Sequence, residues 1–427
     1  MKINYLKPAW GSVRQQPVIS AVSMIGSALA IFLIMVVVMI EEVKTASFAP
    51  ESNRDRWLVQ KFGSITNDSW PADNSSNGPL AYQTIKQVFY RMELPEAVTA
   101  YGSSPYVALF GLPGQAPFGA EVLDVDAGFW KVMDFTFTDG KPFSQEDFEA
   151  GLPVAILSES TAHRLFGTTE VTGRKFQLNY VPYTVAGVVR DVSNLATTAY
   201  AEAWVPYTST NTIDWVWCDY MGSLSATILP RDKADIPAIR EEYERLFAEL
   251  GDEAKAKGWK FILRERPYTQ EVTMHTTWAN TGPDISGVHR KQFITYLILL
   301  LVPAVNLSSM TQSRLFRRIS EIGVKRAFGS TRMGIVGSII AENFIVTLAG
   351  GLLGLIFCFI FGYFFSNMIF TSTDILRDMD VPLQLLLDWK LYGTALLFCF
   401  ILNLLSSGIP AWRASRVDPV RALSGRA

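Results

Sequence analysis

The stretch Val18-Ile-Ser-Ala-Val-Ser-Met-Ile-Gly-Ser-Ala-Leu-Ala-Ile-Phe-Leu-Ile-Met-Val-Val-Val-Met-Ile40 runs 23 residues without a charge and then meets Glu41 and Glu42. About 20 apolar residues wound as a helix cross a hydrocarbon core roughly 30 Å thick. A signal peptide has a shorter apolar region and a small-residue cleavage site, so this run reads as a retained anchor. Three more apolar runs follow far downstream. Phe293–Met310 contains Pro303 and Asn306, Ile335–Phe370 carries Glu342 as its one charge, and Leu391–Ile409 includes Asn403.

Lys and Arg decide which side each connection occupies. Lys2, Lys7 and Arg14 precede the first run. Arg314, Arg317, Arg318, Lys325, Arg326 and Arg332 crowd the link between the second and third, and Arg413, Arg416, Arg421 and Arg426 follow the fourth. These segments share one side only if there are four spans with both termini in the cytoplasm. The expected class is therefore a membrane α-helical protein with four transmembrane helices and a large α+β extracytoplasmic domain between the first and second spans. The boundaries read 1–17, a cytoplasmic amphipathic segment; 18–40, a span; 41–290, the outer domain; 291–310, a span; and 311–334, a cytoplasmic link. They continue as a span at 335–370 (its membrane part from Phe344 onward), a short outer loop at 371–390, a span at 391–409 and a tail at 410–427. The loop holds Asp374, Asp378, Asp380 and Asp388 against Arg377, which suits an outer position.

Within 41–290 two strand–helix–strand patterns recur. Arg56–Gln60 reads as a strand, Leu80–Met92 as a helix with Ile85, Val88 and Phe89 on one face, and 97–110 as a returning strand. Ser223–Leu229 reads as a strand, followed by a helix with Asp235 as N-cap and Pro237 in its first turn. Its apolar stripe is Ile236, Ile239, Tyr243, Leu246, Phe247 and Leu250, and Trp259–Leu263 closes the unit as a strand. A β-rich segment, 120–207, lies between the two patterns.

Composition narrows the function. Net charge is −2, so no general attraction to nucleic acid follows. Cys218 is alone in the outer domain, which excludes an internal disulfide there; Cys358 and Cys399 lie in apolar runs and read as small buried hydrophobes. No Gly-x-x-x-x-Gly-Lys-Ser/Thr phosphate loop occurs, so the chain is not expected to be an enzyme of nucleotide hydrolysis. His163, His275 and His289 are too scattered for a metal site. Ser158 and Ser160 read as helix-start residues without a nucleophile elbow. Trp204, Tyr207, Trp215 and Trp217 read as strand packing with some surface exposure rather than as a ligand wall. Glu342 is open to two readings, a functional intramembrane carboxylate or a complement to a helix dipole.

The basic link is the strongest candidate for function. Phe316–Gly329 reads as a short amphipathic helix, with Ile319, Ile322, Val324 and Ala327 apolar and Arg318, Glu321, Lys325 and Arg326 charged. Topology alone accounts for the charges; docking of a cytoplasmic partner accounts for the charges and for the Glu-x-Gly order as well.

The stretch Arg317-Arg-Ile-Ser-Glu-Ile-Gly-Val-Lys-Arg-Ala-Phe-Gly-Ser330 resembles the coupling segment of MacB/FtsX-type ABC transporter permeases. The ending Pro410-Ala-Trp-Arg-Ala-Ser-Arg-Val-Asp-Pro-Val-Arg-Ala-Leu423 does too, and Val122-Leu-Asp-Val-Asp126, Gly140-Lys-Pro-Phe143 and Tyr183–Val189 resemble the family's periplasmic core domain. Lys2–Gly11 resembles the amphipathic helix before the first span. Ser320 stands where a second charge is common, and Pro303 is a further departure. The resemblance implies a permease in the inner membrane that works as a homo- or heterodimer, with ATP bound by a separate cytoplasmic ATPase subunit and no cofactor of its own. It assigns ATPase coupling to Arg318, Glu321, Gly323, Lys325, Arg326 and Gly329, with Glu342 at the acidic position after the segment. Motion of the coupling helix would reach the outer domain through the spans, a mode called mechanotransmission. Three functions fit: efflux of peptides, antibiotics or envelope molecules with a periplasmic adaptor protein and outer-membrane channel, release of lipoproteins, or an FtsX-like scaffold that activates a cell-wall hydrolase.

Overall fold

The computed structural model describes residues 17–71, 74–276, 278–370 and 389–416. Expectations for 1–16, for the loop at 371–388 and for the tail beyond 416 lie outside the described residues. The chain divides into two compact units, Val43–Ile285 and a second made of Met1–Glu42 with Ser286–Ala427.

Helix α1 (Pro17–Thr45) continues to Thr45, past Glu41 and Glu42. The first unit then opens with β1 (Leu58–Gln60), β2 (Gly63–Asn67), β3 (Ser76–Gly78) and α2 (Tyr82–Gln87), followed by β4 (Ala97–Gly102), β5 (Tyr106–Gly111) and β6 (Phe118–Val125). Next come α3 (Phe129–Val132), β7 (Phe137–Gly140), α4 (Gln145–Glu149), β8 (Val154–Ser158), α5 (Glu159–Phe166), β9 (Lys175–Leu178), β10 (Val181–Val189) and β11 (Ala203–Pro206). β12 (Leu224–Leu229), α6 (Ile236–Ala256), β13 (Trp259–Phe261), β14 (Tyr268–Thr269) and α7 (Gln270–His275) complete it.

The strands form a sheet in the order β11-β8-β10-β9-β5-β6-β4-β12-β1-β14. β11 also pairs in parallel with β6, Ala203 opposite Val122, so the run from β11 to β6 closes on itself as a small barrel. Closure removes the exposed edges an open sheet would present. Its interior follows the period of two along each strand: Ala108 and Phe110 point in from β5, Phe176 and Leu178 from β9, Tyr183 and Val185 from β10. Phe110 stacks on Phe176 with centroids 5.4 Å apart. Trp204 and Tyr207 are buried packing groups, whereas Trp215 stays 63% exposed.

β4, β12, β1 and β14 extend from the barrel as an open sheet. Against it and β13 lies α6, whose Ile239, Tyr243, Leu246, Phe247 and Leu250 are buried. Phe247 meets Phe261 of β13 edge-on at 5.4 Å, and the Tyr243 hydroxyl donates to Gln60 Oε1 at 2.5 Å. Three sequence expectations are corrected here. Trp259–Phe261 does not close the same sheet as β12; it pairs with β2 in a separate three-stranded sheet, Lys260 opposite Thr66. Asp235 stands at the N-cap of α6 with a proline in its first turn, as expected, but its side chain makes no capping bond; Asp232 caps the preceding 3-10 turn by accepting from Ala234 N at 2.8 Å. The expected helix Leu80–Met92 breaks at Val88 (φ −112°, ψ −68°) and resumes as a 3-10 turn, which carries Phe89 into the core under α6. Ser158 is the N-cap of α5, accepting from Thr161 N at 3.3 Å.

Two buried charged groups organise this unit. Arg54, 2% exposed, forms an ion pair with the fully buried Glu51 at 2.5 Å. It also donates to the carbonyls of Val43 and Ala46, each at 3.1 Å, and of Leu195 at 2.6 Å. The other Glu51 oxygen accepts from Thr198 N and Ala199 N, both at 2.8 Å. Asp126, which follows β6, accepts four bonds. Oδ1 takes Thr99 Oγ1 at 2.6 Å and Phe129 N at 2.9 Å; Oδ2 takes Tyr90 Oη at 2.6 Å and Ala100 N at 2.8 Å.

The helical unit adds α8 (Ile285–Arg317), α9 (Ile319–Ala327), α10 (Arg332–Phe370) and α11 (Trp389–Ser415). Among the described residues, Ser20–Thr45, Arg332–Phe361 and Leu397–Ser415 are long and apolar enough to cross a membrane. α10 lies against α1 through Gly350 and Gly354, four residues apart. A Cβ on Gly350 would come 2.6 Å from Ser27 Cβ, and one on Gly354 would come 2.6 Å from the Ala28 carbonyl. Lipid gives no hydrophobic drive for helices to associate, so close backbone approach at small residues supplies the contact. A Cβ on Gly351 would strike Cys399 Sγ of α11 in the same way.

Candidate functional site

The seven residues expected to couple this chain to a partner fall on and around α9. α8 ends at Arg317, and Arg318 leaves helical geometry (φ −113°, ψ 16°) as the N-cap of α9. α9 ends in a Schellman motif. Gly329 takes φ +90°, its N–H donates to the Arg326 carbonyl, and Ser330 N donates to the Lys325 carbonyl, both at 3.0 Å. That pattern needs a residue comfortable at positive φ. Thr331 then starts α10, its Oγ1 accepting from Gly334 N at 3.1 Å. A Cβ added at Gly329 would meet nothing within 4 Å. Gly329→Ala is therefore expected to lose about 1 kcal/mol through backbone strain alone. A thermal melt of the purified chain with no shift would refute it.

The structure brings three of the seven together. The Arg318 guanidinium donates from one terminal nitrogen to both Glu342 oxygens at 3.0 Å and from Nε to Glu321 Oε2 at 2.9 Å. Arg318 and Glu342 side chains are 18% and 12% exposed, whereas Glu321 is 56% exposed. Glu342 lies nearly three turns into α10. The dipole acts within the first turn, so the dipole reading of Glu342 gives way to an ion pair. Gly323 is buried in α9, and Arg326 donates to the Ser415 carbonyl of α11 at 3.3 Å. Lys325 alone of the charged set lies exposed without being drawn into this cluster.

Beneath α9, Ile322 joins Leu315, Ile335, Ile339, Ala411 and Ala414 in one apolar cluster. A groove of about 470 Å³ opens beside it, floored by Leu315, Ile322, Ile335 and Ile339 and rimmed by Arg318, Glu321, Lys325 and Glu342. The apolar set read from the sequence does not share one face. At about 100° per residue, Val324 points roughly 160° away from Ile322, and it is exposed together with Phe328, which is 88% exposed. Sequence reasoning did not single out Phe328. Its spacing of four from Val324 was the available signal.

The MacB-like periplasmic core domain matches residues 20–246, and the FtsX-like permease C-terminal region matches residues 293–419. The chain belongs to the MacB/FtsX-type family of ABC transporter permeases. An uncharacterized ABC transporter permease of Bacillus subtilis, YknZ, is 23% identical over 309 residues, covering 71% of this chain and 70% of that one. The macrolide export ATP-binding/permease protein MacB of Burkholderia cenocepacia is 24% identical over 387 residues, 86% of this chain and 51% of that one. The chain thus spans about half the length of the export relatives it matches. Among solved structures, the extracellular domain of YknZ aligns with a TM-score of 0.33 and 18% identity, covering 47% of this chain and 99% of that domain. The periplasmic region of MacB from Actinobacillus actinomycetemcomitans aligns with a TM-score of 0.32 and 17% identity, covering 47% and 88%. In this family member, the periplasmic core domain match covers most of the α+β unit, and the permease match covers α9 with its flanking helices.

Proposed function

We propose that this chain is the membrane subunit of an ABC exporter whose ATP is hydrolysed by a separate cytoplasmic subunit seated on the outward face of α9. The observation that carries the reading is the pairing of exposed Phe328 and Val324 with exposed Lys325 and Glu321 on a short helix fixed at both ends. An aromatic anchor beside charges of both signs is what a soluble partner's pocket grips. Four spans complete the subunit, with both termini in the cytoplasm and the α+β unit in the periplasm. α8 supplies the second span: Phe293, Ile294, Ile298 and Val305 form an exposed apolar strip that lipid would cover. Two such subunits, alike or different, pass the movement of α9 through the spans to their periplasmic domains. The MacB relatives are named for macrolide export, which favours efflux over lipoprotein release or hydrolase activation; the cargo class read from the sequence, antibiotics, peptides or envelope molecules, is kept as the proposal. An adaptor protein and outer-membrane channel would then complete the path.

The test is co-purification of the ATPase with the detergent-solubilised chain. Phe328→Ala and Lys325→Glu are expected to weaken retention by about tenfold or more, since interface anchors commonly exceed 2 kcal/mol. Equal retention by wild type and both variants would remove the docking role from α9, and no ATPase on the wild type would remove the permease reading altogether.

A further inference from the structure

Most of the Arg318 side chain, expected to couple the chain to its partner, is spent on contacts within the chain. It points into the protein, and the carboxylate it holds belongs to a helix that begins only after α9 has ended. We propose that Arg318 is a positioning residue that pins α9 to α10 through Glu342, so that a push on the exposed face of α9 turns α10 rather than sliding past it. This rests on the reading of α9 as the partner's seat and adds the route by which movement leaves it.

Two kinds of contact join α9 to its neighbours. The apolar cluster around Ile322, Ile335 and Ile339 is non-directional, and such a surface lets one helix shift over another with little change in buried area. The Arg318–Glu342 contact is directional. One guanidinium nitrogen lies 3.0 Å from each carboxylate oxygen, and a charge-assisted bond of that kind weakens steeply when its angle changes. Glu342 is ten residues from the start of α10, or about 15 Å along the helix axis at 1.5 Å per residue. A force applied there acts on the body of the longest apolar helix and not on its fraying first turn. At its other end, α9 is held by Arg326 on the Ser415 carbonyl of α11. α9 therefore cannot tilt without moving α10, α11 or both.

Glu321 connects the pin to the surface. Its carboxylate holds Arg318 Nε at 2.9 Å while remaining largely exposed. A partner cation arriving at Glu321 competes for the carboxylate that shares Arg318 with Glu342. The Arg318 and Glu342 side chains are 18% and 12% exposed against 56% for Glu321, so Glu321 is the member of the trio most open to a partner. Lysine is no substitute at position 318, because a single ammonium cannot span Glu321 and Glu342 with the geometry of a planar fork.

The experiment is a charge swap in the full chain with two readouts. In the first, Cys218, Cys358 and Cys399 are replaced, and spin labels at Ser320→Cys and Met333→Cys report the α9–α10 distance without any partner. The distribution is expected to be narrow in the parent, to broaden in Arg318→Glu and in Glu342→Gln, and to narrow again in Arg318→Glu/Glu342→Arg. In the second, the complex with its ATPase is purified. Arg318→Glu is expected to retain the ATPase while losing the permease-dependent part of ATP turnover, with the double swap restoring most of it. Distributions that stay narrow in the single variants overturn the pin, whatever the ATPase does. Loss of the ATPase from Arg318→Glu without rescue by the swap makes Arg318 a partner contact instead. A pin confirmed by distances in a chain that binds no ATPase would leave the pin standing and overturn both the relay and the permease reading.

Discussion

Replacing Arg54 by methionine lowers the stability of the α+β unit by about 3–5 kcal/mol, the range measured when one member of a buried ion pair is removed. The loss has two sources. Glu51, which has no exposure to water, loses its ion-pair partner. The carbonyls of Val43, Ala46 and Leu195 lose their donor. The methionine side chain fills the volume but returns none of these bonds. Val43 lies in the last turn of α1, where helix carbonyls have no partner further along the chain and a cation is favoured. The checking measurement is hydrogen exchange at Thr198 and Ala199, whose amides donate to Glu51. A loss of about 3 kcal/mol corresponds to an exchange rate roughly 150-fold faster wherever these amides open with the unit. Arg54→Lys should fall between, since it keeps the charge but not the fork. Unchanged exchange in Arg54→Met would show that the node is not what holds residues 195–199 to the end of α1.

Asp126→Asn is expected to destabilise the same unit by about 2–4 kcal/mol, despite being nearly isosteric. Each carboxylate oxygen accepts from one backbone amide, Phe129 N on Oδ1 and Ala100 N on Oδ2. The hydroxyls of Thr99 and Tyr90 can turn to suit a new partner; the two amides cannot. Whichever way the asparagine is flipped, its NH2 faces a backbone N–H, which orphans a buried donor at about 1–3 kcal/mol and adds repulsion. Burial pushes the Asp126 carboxyl above the usual carboxylate range, against the four bonds that favour its charged form. The folded state therefore holds that proton more tightly than the unfolded state. Stability accordingly falls as pH rises from the ordinary carboxylate value through the raised one. The asparagine variant should lose this part of the slope, with the similar contribution of Asp124 remaining. Thermal melts taken upward in pH from the ordinary carboxylate range, about pH 4, would check both signs. An asparagine variant as stable as wild type throughout would mean that the four bonds are not formed in solution.

How much of this was readable from the residues varies by element. The apolar runs were, because hydropathy is a local sum, and so was the position of α9, because charge asymmetry across short loops is local too. The apolar stripe of α6 was legible at its own period, with Ile239, Tyr243, Leu246, Phe247 and Leu250 buried as expected and Ile236, in the first turn, only half-buried. For the candidate site, the sequence pointed to the right short segment but not to the directions of its side chains. Val324 and Phe328 face out while Ile322 faces in, and Arg318 turns inward to Glu342, 24 positions away.

What the sequence determined by itself was the division of the chain into apolar helices and one large α+β insert, the placement of a short charged helix between α8 and α10, and the family to which the chain belongs. Only the tertiary structure decided that β11 returns to β6 and closes a barrel, that β13 joins β2, that Gly350 and Gly354 admit α1, and that Arg54 and Arg318 each gather partners from distant segments. The reason is physical. Periodicity and net charge are properties of neighbouring residues, whereas a pairing across tens or hundreds of positions depends on which surfaces the folded backbone brings into hydrogen-bonding reach. One polar residue in a sequence carries no mark of the partner it will meet.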